Sequence, residues 1–546
     1  MTLLRLFLLA VLAAPAAGAV PVRERAIPLP HPGQSWIRVT SPNFTVISSA
    51  GAARTREVAQ TLETVAGGLR RVHPRFDARF ADTTVFVFAR RGDCQPIFDL
   101  LLNQKGVNAP GAFVVQPDGG AAIVIDAGRN AGRTIRHELM HNILATSGTR
   151  LPLWLEEGIA EYFSTTVVRG DSVIMGRPII AHHRSLRARG VLPIEDVLAA
   201  QSHSPIATNV LFYAQSWALV EWMMRTNRRS FYDFVADVEK GDGVVTAFRR
   251  RYSMDIGSVA RSFRTSMTRP SASSAIQIER SEVPISEESI STADALHQLA
   301  RFLGQLEHTR DDAERFLQRA LDLEPQHARS IAALGALRAA EKNFEQASAL
   351  FERALALAPD DAAIQVRFAE ALMQNPSQPN FRRARELAAA SLATAPSALA
   401  EALIGISYLT EDDPAPGIPP LERAVAARPA TVQFALNLYA LYLRANREAD
   451  AGRLFSSVFE RARDPQTTVA ARAIEAREKA VRRDVARVAE RNRQVDLYNQ
   501  AVAAFNRGDH EAVLEHCHRL LTFATDQDIC DRAERLSASA RLKRGM

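Results

Sequence analysis

The sequence predicts an α+β domain followed by an all-α helical solenoid. Before residue 267, short runs of β-branched and aromatic residues alternate with segments of helical periodicity, which is typical of an α+β domain. A polar, serine-rich stretch at 268–291 has the composition of a linker, and after it a similar set of residues recurs every 34 positions. With 546 residues, of which 47% are hydrophobic and 23% charged, the chain is long enough for two or three domains.

Residues 1–19 have the pattern of a signal peptide. Arg5 precedes a short apolar run, and Ala17-Gly18-Ala19 has the small residues of a cleavage site. We therefore expect a mature chain that begins near Val20 and is exported to the periplasm or secreted. No later segment is long and apolar enough to predict a transmembrane helix.

The strands expected in the first domain are short. The β-like runs are Trp36–Thr40, Phe44–Ser48, Thr83–Ala89, Ala112–Gln116 and Ala121–Asp126. Arg54–Val72 reads as an amphipathic helix, and Pro117-Asp118-Gly119-Gly120 predicts a hairpin turn. We expect Ala121–Asp126 to form a sheet edge to which an extended peptide can add by main-chain pairing. A strand that only packs against the neighbouring helix fits the sequence equally well.

The most specific motif is His137-Glu138-Leu139-Met140-His141, which lies in a segment of helical periodicity. Histidines four positions apart project from one face of a helix and can bind a single metal ion. Glu138, between them, is then placed to act as the general base of a hydrolase. An apolar stripe offset from the histidines would bury the other side of this helix. The stripe consists of Ile135, Leu139, Ile143 and Leu144.

A second motif, Leu153–Phe163, follows after a short link that ends at Pro152, a residue suited to the first turn of a helix. Zinc in a hydrolase has three protein ligands and one open position, and Glu157 would supply the third ligand. Glu161, one turn later, would accept a hydrogen bond from the outer ring nitrogen of one motif histidine. We expect Gly158 to allow close approach of the two helices. The alternative is that these acids form a solvated helix face, and Glu156 is expected to do so.

Together the two motifs resemble the gluzincin metallopeptidases, the clan of thermolysin and the zinc aminopeptidases. The resemblance covers roughly residues 35–263 and implies a zincin-like fold for 20–267. It implies Zn²⁺ bound by the two motif histidines and Glu157, with Glu138 as base and proton shuttle. In that clan an acid one turn after the ligand glutamate orients a metal histidine, which implies this role for Glu161.

One element of the resembling aminopeptidases is missing. They carry an upstream Gly-x-Met-Glu-Asn segment whose glutamate holds the free amino group of the substrate. At a comparable distance this chain has Gly111-Ala112-Phe113-Val114-Val115, which contains no acid. The resemblance therefore implies an endopeptidase, with a zinc aminopeptidase as an alternative.

Tyr213 is a further catalytic candidate. Its distance beyond Glu157 is similar to that of the oxyanion donor in resembling enzymes, which implies that its hydroxyl stabilises negative charge on the substrate carbonyl oxygen. A core tyrosine with a local hydrogen bond is the alternative. His203 is a weaker candidate, and we expect His182 and His183 to be ordinary surface residues.

The second half of the chain contains internal repeats. The pattern Ala313…Ala320-Leu-Asp-Leu-Glu-Pro325 recurs as Ala347…Ala354-Leu-Ala-Leu-Ala-Pro359, an offset of 34 residues. Looser copies end at Pro396 and Pro429. The period, the small residues and the terminal proline resemble the tetratricopeptide repeat, which we expect over 292–460. Stacked repeats form a solenoid whose concave face binds a peptide or protein; the alternative is that they only position the first domain.

The last region, 461–546, predicts an Arg- and Glu-rich helix at Thr468–Arg493 and a repeat-like helix pair at Tyr498–Leu521. Of the three cysteines, Cys517 and Cys530 are close enough in sequence to pair in an oxidising compartment, although free thiols fit as well.

Composition and motifs together favour one function over its alternatives. The formal net charge of +6 is mild, and basic residues are interleaved with acids, so we expect no nucleic-acid partner. The leading hypothesis is an exported zinc-dependent endopeptidase acting on a peptide or protein substrate, with repeats that recruit the substrate or a partner protein. The alternative is a non-catalytic scaffold that acts through its repeats. We also expect the linker to separate two independently folded parts, so that a chain ending near Thr268 would fold and bind zinc.

Overall fold

A computed structural model of the chain describes residues 26–31, 33–76, 83–101, 111–115, 120–128, 131–146, 151–201, 204–267, 273–277, 283–306, 309–429, 431–460 and 465–545. The predicted signal peptide (1–19), the turn residues Pro117–Gly119 and the candidate His203 lie outside the described residues.

Two sheets organise the first half of the chain. Their strands are β1 (Trp36–Thr40), β2 (Phe44–Ser48), β3 (Thr83–Phe88), β4 (Gly111–Val115), β5 (Ala121–Asp126), β6 (Val167–Arg169), β7 (Ser172–Met175), β8 (Ser274–Gln277) and β9 (Ser286–Ile290). The larger sheet has the order β4-β5-β3-β2-β1-β9, and the smaller has the order β6-β7-β8. In the larger sheet β2, β3 and β5 run parallel, while β4, β1 and β9 pair antiparallel with their neighbours. The region therefore combines α and β structure as predicted.

Strand β5 is an interior strand. Ile123 pairs with Val85 of β3 on one side and with Phe113 of β4 on the other. The prediction that Ala121–Asp126 forms the sheet edge was wrong, because the β4–β5 hairpin adds one more strand beyond it. The edge of the sheet is β4 itself.

Part of the predicted linker belongs to the sheets. Strand β8 pairs with β7, and β9 pairs with β1 along its whole length. The polar composition that suggested a linker is that of a sheet-edge strand, where charged side chains discourage pairing with other chains. Glu288 in β9, for example, accepts a 2.8 Å hydrogen bond from Arg38 in β1.

Most helices of the first half bury one side against this framework, whereas α4 and α7 are buried nearly all round. They are α1 (Ala52–Val72), α2 (Arg91–Leu101), α3 (Ala131–Thr146), α4 (Leu153–Ser164), α5 (Ile180–Arg189), α6 (Ile194–Ala199), α7 (Val210–Thr226), α8 (Arg228–Glu239), α9 (Val244–Tyr252) and α10 (Ile256–Ser266). The apolar stripe predicted for α3 is confirmed, since Ile135, Leu139, Ile143 and Leu144 are all buried.

Successive residues along a strand of the larger sheet belong to two separate cores, because their side chains point alternately to the two faces. Val85 and Val87 of β3 belong to a core shared with α1, α3, α4 and α7. Phe86 and Phe88 belong to a core on the opposite face, shared with α2 and with helices of the second half.

The second half is helical. Its helices are α11 (Thr292–Leu303), α12 (Arg310–Leu323), α13 (Ala328–Ala340), α14 (Phe344–Leu357), α15 (Ala362–Gln374), α16 (Phe381–Thr394), α17 (Ala398–Ser407), α18 (Ile418–Ala427), α19 (Val432–Arg444), α20 (Glu448–Leu454), α21 (Pro465–Asn506), α22 (His510–Leu521) and α23 (Gln527–Lys543). Consecutive helices of the repeats cross closely: a Cβ on Gly335 would lie 3.1 Å from the Phe351 ring. The region thus has the helix-pair pattern of tetratricopeptide repeats.

The first repeat helices cover the outer face of the larger sheet. Phe302 of α11 packs on Phe86 of β3, with ring centroids 5.3 Å apart. The N-terminal segment is held there too, because Asp312 in α12 accepts a 2.9 Å hydrogen bond from the backbone N–H of Ile27. The expectation of two independently folded parts is therefore wrong for the first repeat, which shares a core with the sheet.

The chain divides into two compact units, 1–407 with 422–433 and 408–421 with 434–546. In the second unit, α21 is a single helix of 42 residues, so the helix predicted to end at Arg493 continues to Asn506. Helices α22 and α23 pack against its C-terminal part. Cys517 and Cys530 are free thiols rather than a disulfide. Across the described residues, no helix combines the length and apolarity that a membrane crossing needs.

Candidate metal centre

Helices α3 and α4 bring three potential metal-binding side chains together. His137 and His141 lie one turn apart on α3, with their Nε2 atoms 3.1 Å from each other. Glu157 comes from α4, and its Oε2 lies 3.6 Å from His137 Nε2 and 3.7 Å from His141 Nε2. One ligand atom from each of the three residues falls within a 4.8 Å cluster.

The surroundings of the buried Oε2 atom of Glu157 indicate whether a cation fits this cluster. It has no hydrogen-bond partner, although a buried carboxylate oxygen normally has one. The two Nε2 atoms that face it are close to each other as well as to this oxygen. Two imidazoles and one carboxylate are the donor set that zinc accepts in hydrolases, so the residues present fit that ion.

Each metal-site histidine also has an acid near its outer ring nitrogen. The Nδ1 atom of His137 lies 3.8 Å from Glu161 Oε1, and the Nδ1 atom of His141 lies 3.3 Å from Glu156 Oε1. The expectation that Glu156 belongs only to a solvated face was wrong, because α4 presents it to His141 while leaving it partly exposed. Glu156 is within hydrogen-bond distance of the outer nitrogen of His141, whereas Glu161 acts on His137 through its charge at a longer distance. Both acids favour a proton on the outer ring nitrogen, which leaves Nε2 free to donate its lone pair.

The charges of the cluster are strongly coupled. Burial opposes protonation of both histidines, but Glu157 and its neighbouring acids raise the pKa of His137 and raise that of His141 well above its usual value. Burial alone would raise the pKa of Glu157, whereas the charge of His141 and the close contacts with both histidines lower it strongly. The protonation of the two histidines and of Glu157 is therefore coupled.

Glu138 lies on the adjacent face of α3, beside the edge strand. Its side chain is 7% exposed, and burial raises the pKa of its carboxyl group, although the charges of His137 and His141 oppose that shift. Strand β4 comes close because Gly111 has no side chain: a Cβ there would lie 2.4 Å from Thr134 Cγ2 and 3.2 Å from Glu138 Oε1.

Gly158 contacts a different helix from the one expected. A Cβ on Gly158 would lie 2.5 Å from the backbone oxygen of Ser216, so this glycine allows α4 to approach α7. The expectation that it permits close approach of α4 to α3 was wrong. The close packing of α4 on α7 nevertheless places the helix that carries Tyr213 next to the helix that carries Glu157.

Tyr213 lies in the first turn of α7, which begins after an N-cap at Asn209 whose side chain accepts a hydrogen bond from Leu211 N. Burial raises the pKa of the Tyr213 hydroxyl, and the charges of Glu157, Glu161 and Glu138 raise it further. The hydroxyl thus remains protonated within the field of the cluster, and it is available as a hydrogen-bond donor.

Glu161 has two cationic neighbours besides His137. Its Oε2 accepts a 2.9 Å hydrogen bond from Arg133, and His182 Nε2 lies 3.3 Å away. Burial would raise the pKa of Glu161, but the contact with His182 and the charges of His137 and Arg133 lower it to about 2. Glu161 is therefore ionised beside His137.

The prediction that His182 is a surface residue was wrong, since α5 buries it beside Glu161. His183 is partly buried, and its ring packs on Trp217 with centroids 5.0 Å apart. Arg133 was not predicted either, although it lies one turn before His137 on the same face of α3, a spacing that would have indicated it. His182 has no such signal because its position depends on how α5 packs on α7.

Two family models match parts of the chain. A family described as a protein of unknown function (DUF1570) matches residues 132–241, a range that contains the whole cluster, and a tetratricopeptide-repeat family matches residues 306–365. The chain therefore contains tetratricopeptide repeats, as the 34-residue period predicted. No curated protein matches the chain.

Several solved repeat proteins resemble the chain weakly. MamA (residues 41 to the end) from Desulfovibrio magneticus RS-1 is 20% identical, covering 32% of this chain and 98% of that one, with a TM-score of 0.27. The type IV pilus biogenesis factor PilW is 16% identical over 44% of this chain and 98% of that one, with a TM-score of 0.29. YrrB, described as a TPR protein with an unusual peptide-binding site, is 15% identical over 40% of this chain and 97% of that one, with a TM-score of 0.25. Similarities this low support no conclusion about function.

Proposed function

We propose that the protein is an exported zinc-dependent endopeptidase whose repeats bind a substrate or partner protein. The observation that carries this proposal is the convergence of His137, His141 and Glu157: a carboxylate oxygen without a hydrogen bond lies within 3.7 Å of two imidazole nitrogens, and Glu138 is alongside. Glu157 brings a third donor of the kind that zinc accepts to the point where the two histidines already meet.

The residues of the centre would divide the work of peptide hydrolysis. His137, His141 and Glu157 would hold Zn²⁺, which would supply Lewis-acid chemistry toward a peptide carbonyl and toward water. Glu138 would accept a proton from the attacking water and pass it to the leaving amine. Its burial supports this role, because a raised pKa makes the carboxylate a stronger base toward water.

Strand β4 is the surface proposed to hold the substrate. Its outer edge faces no other strand among the described residues, so an extended peptide can add to it by main-chain hydrogen bonds beside α3. None of the five residues of Gly111–Val115 is acidic, so this strand offers nothing to bind a free amino terminus. This favours cleavage within a chain over removal of its first residue.

Zinc content and one variant test the proposal together. We expect the purified protein to hold about one zinc per chain, with a large loss of affinity in His137→Ala and Glu157→Ala because three ligands become two. Glu138→Gln should retain the metal and the fold yet lose nearly all hydrolysis of an internally quenched peptide, since an amide cannot accept the proton. A protein without stoichiometric zinc, or a Glu138→Gln variant with undiminished turnover, would favour the scaffold function instead.

Tyr213 is proposed as the hydrogen-bond donor to the developing oxyanion. Tyr213→Phe should leave zinc affinity unchanged and lower the maximal rate by about a hundredfold, as loss of one such donor does. Tyr252→Phe is the matched control, because that hydroxyl donates to the backbone oxygen of Met223 at 3.3 Å. Equal rates in the two variants would remove Tyr213 from the mechanism.

A further inference from the structure

His182 is a buried histidine for which the proposed mechanism has no role. Its side chain is 6% exposed, and neither of its ring nitrogens makes a hydrogen bond of good geometry. Among the described residues, the acid that lies within ion-pair distance of it is Glu161, whose Oε2 is 3.3 Å from Nε2. A buried N–H without an acceptor is destabilising, so the proton on Nε2 is expected to point at this carboxylate.

The two oxygens of Glu161 face different partners. Oε1 lies 3.8 Å from His137 Nδ1, whereas Oε2 contacts Arg133 and His182. Contacts at Oε2 therefore fix the rotation of the carboxylate and turn Oε1 toward the metal-site histidine. Arg133 contributes from the solvent side, where its side chain is 43% exposed and its pairing is weakened by water. His182 contributes from the buried side.

We propose that His182 is a positioning residue for the metal centre. By holding Glu161, it keeps a carboxylate charge beside His137 Nδ1, which favours the ring proton there and leaves Nε2 as the metal donor. The ring of His182 is itself supported by buried Trp217, with centroids 5.7 Å apart. This inference rests on the proposed function, because it assumes that His137 binds a metal.

Zinc affinity of the full-length protein tests this role. His182→Phe keeps an aromatic ring against Trp217 but removes the contact with Glu161, and it should weaken zinc binding by about tenfold, within the range for residues that support a metal ligand. His182→Gln should restore most of the affinity, since its amide can donate at a similar reach. The matched control is His183→Phe, the same change at the next position of α5, which should leave affinity unchanged.

Two further measurements separate positioning from a general loss of structure. The absorption spectrum of the cobalt-substituted protein should change in His182→Phe, because reorientation of His137 alters the ligand field, while the melting temperature of the metal-free protein should change little. In a double-mutant cycle, His182→Phe should have no further effect once Glu161 is replaced by Ala, because it acts through that residue.

The outcomes distinguish this inference from the function on which it rests. If the wild-type protein binds no zinc, the proposed function fails. If the wild type binds zinc and His182→Phe binds it equally tightly, or if the full loss persists in the Glu161→Ala background, the positioning role is overturned. Should His182→Phe fail to fold, His182→Asn replaces it: its shorter amide does not reach Glu161, and affinity equal to that of His182→Gln would likewise overturn the inference.

Discussion

The two faces of the six-stranded sheet are formed by the same strands, but they pack against different parts of the chain. The inner face, which includes Val85 and Val87, packs against α1 and α3, and the polar cluster lies on the far side of α3. The outer face, which includes Phe86 and Phe88, packs against α2, α11 and α12 in a core of apolar side chains. The alternation of side chains along each strand therefore separates the core beside the cluster from the core that the repeats complete.

This difference assigns two functions to the repeats. The first repeat helices complete a core that the first domain cannot close by itself, so they are structural. The proposed recruitment of a partner would then use repeat helices outside that core, such as α15 and α16. Substitutions on the outer face should therefore lower the free energy of unfolding. Substitutions beside the cluster on the inner side should alter zinc affinity or the proposed peptidase activity.

The largest expected effect comes from removing the repeat helices that cover the outer face of the larger sheet. A chain ending at Ser291 retains β9 and the whole cluster but loses eight large buried side chains: Leu296, Leu299, Phe302, Leu303, Phe316, Leu317, Leu334 and Leu337. Burial of each contributes about 1.5–3 kcal/mol, and a domain has only about 5–15 kcal/mol of net stability. We expect this chain to be insoluble or unfolded by circular dichroism.

A second truncation is the control for the first. A chain ending at Ser407 keeps the first segment of the larger compact unit, including the repeats that pack on the sheet. It should fold cooperatively and bind zinc. If the chain ending at Ser291 folds and binds zinc as well, the outer face does not need the repeats, and the two-face distinction loses its basis.

A single substitution, at Phe302, tests the same contrast between stability and zinc affinity on a smaller scale. Phe302→Ala removes the ring that packs on Phe86 and should lower the free energy of unfolding by about 3–5 kcal/mol, as core aromatic deletions do. At a temperature where the variant is folded, its zinc affinity should match that of the wild type. Chemical denaturation with zinc titration on the same sample measures both quantities, and a parallel loss of affinity would show that the faces are coupled through the sheet.

A polar contact of the outer face should have a smaller effect. Asp312 is 2% exposed and accepts hydrogen bonds from Ile27 N at 2.9 Å and from Arg315 at 2.8 Å. Asp312→Ala should cost about 1–3 kcal/mol, because the buried N–H of Ile27 loses its acceptor. Asp312→Asn keeps an acceptor of the same shape and should recover part of that loss. Equal unfolding free energies for the two variants would show that the backbone contact contributes little.

Local sequence signals predicted the inner face better than the outer one. The spacing of His137 and His141 and the stripe through Leu139 are properties of a single helix, so their arrangement follows from 3.6-residue periodicity. Glu157 also reaches the cluster, because its helix follows α3 after a short link. By contrast, the burial of His182 and the pairing of β9 with β1 depend on contacts between distant segments, which no local period encodes.

Strand order shows the same limit. The hydrophobic pattern of Ala121–Asp126 identifies a strand, but it does not tell how many strands lie beyond it. The hairpin signal after β4 contained that information, since a strand joined by a tight turn pairs with its neighbour. A hairpin between β4 and β5 places β4 outside β5, so β4 forms this edge of the sheet.

The smallest expected effect tests the closest approach on the inner face. Gly111→Ala introduces a Cβ that would lie 2.4 Å from Thr134 Cγ2 and 3.2 Å from both Glu138 Cγ and Oε1, so β4 and α3 must move apart by a fraction of an ångström. A base displaced by that amount transfers protons less efficiently, and we expect peptidase activity to fall by about tenfold with zinc affinity retained.

Matched variants separate this local displacement from an effect of the added methyl group itself. Gly67→Ala adds the same group in α1, where no atom lies within 4 Å of the new Cβ, and it should leave activity unchanged. Thr134→Ser removes the atom that makes the shortest contact, so it should restore part of the activity of Gly111→Ala. If the Gly111→Ala variant is fully active without this rescue, Glu138 tolerates displacement, and the close approach of β4 to α3 has no part in the chemistry.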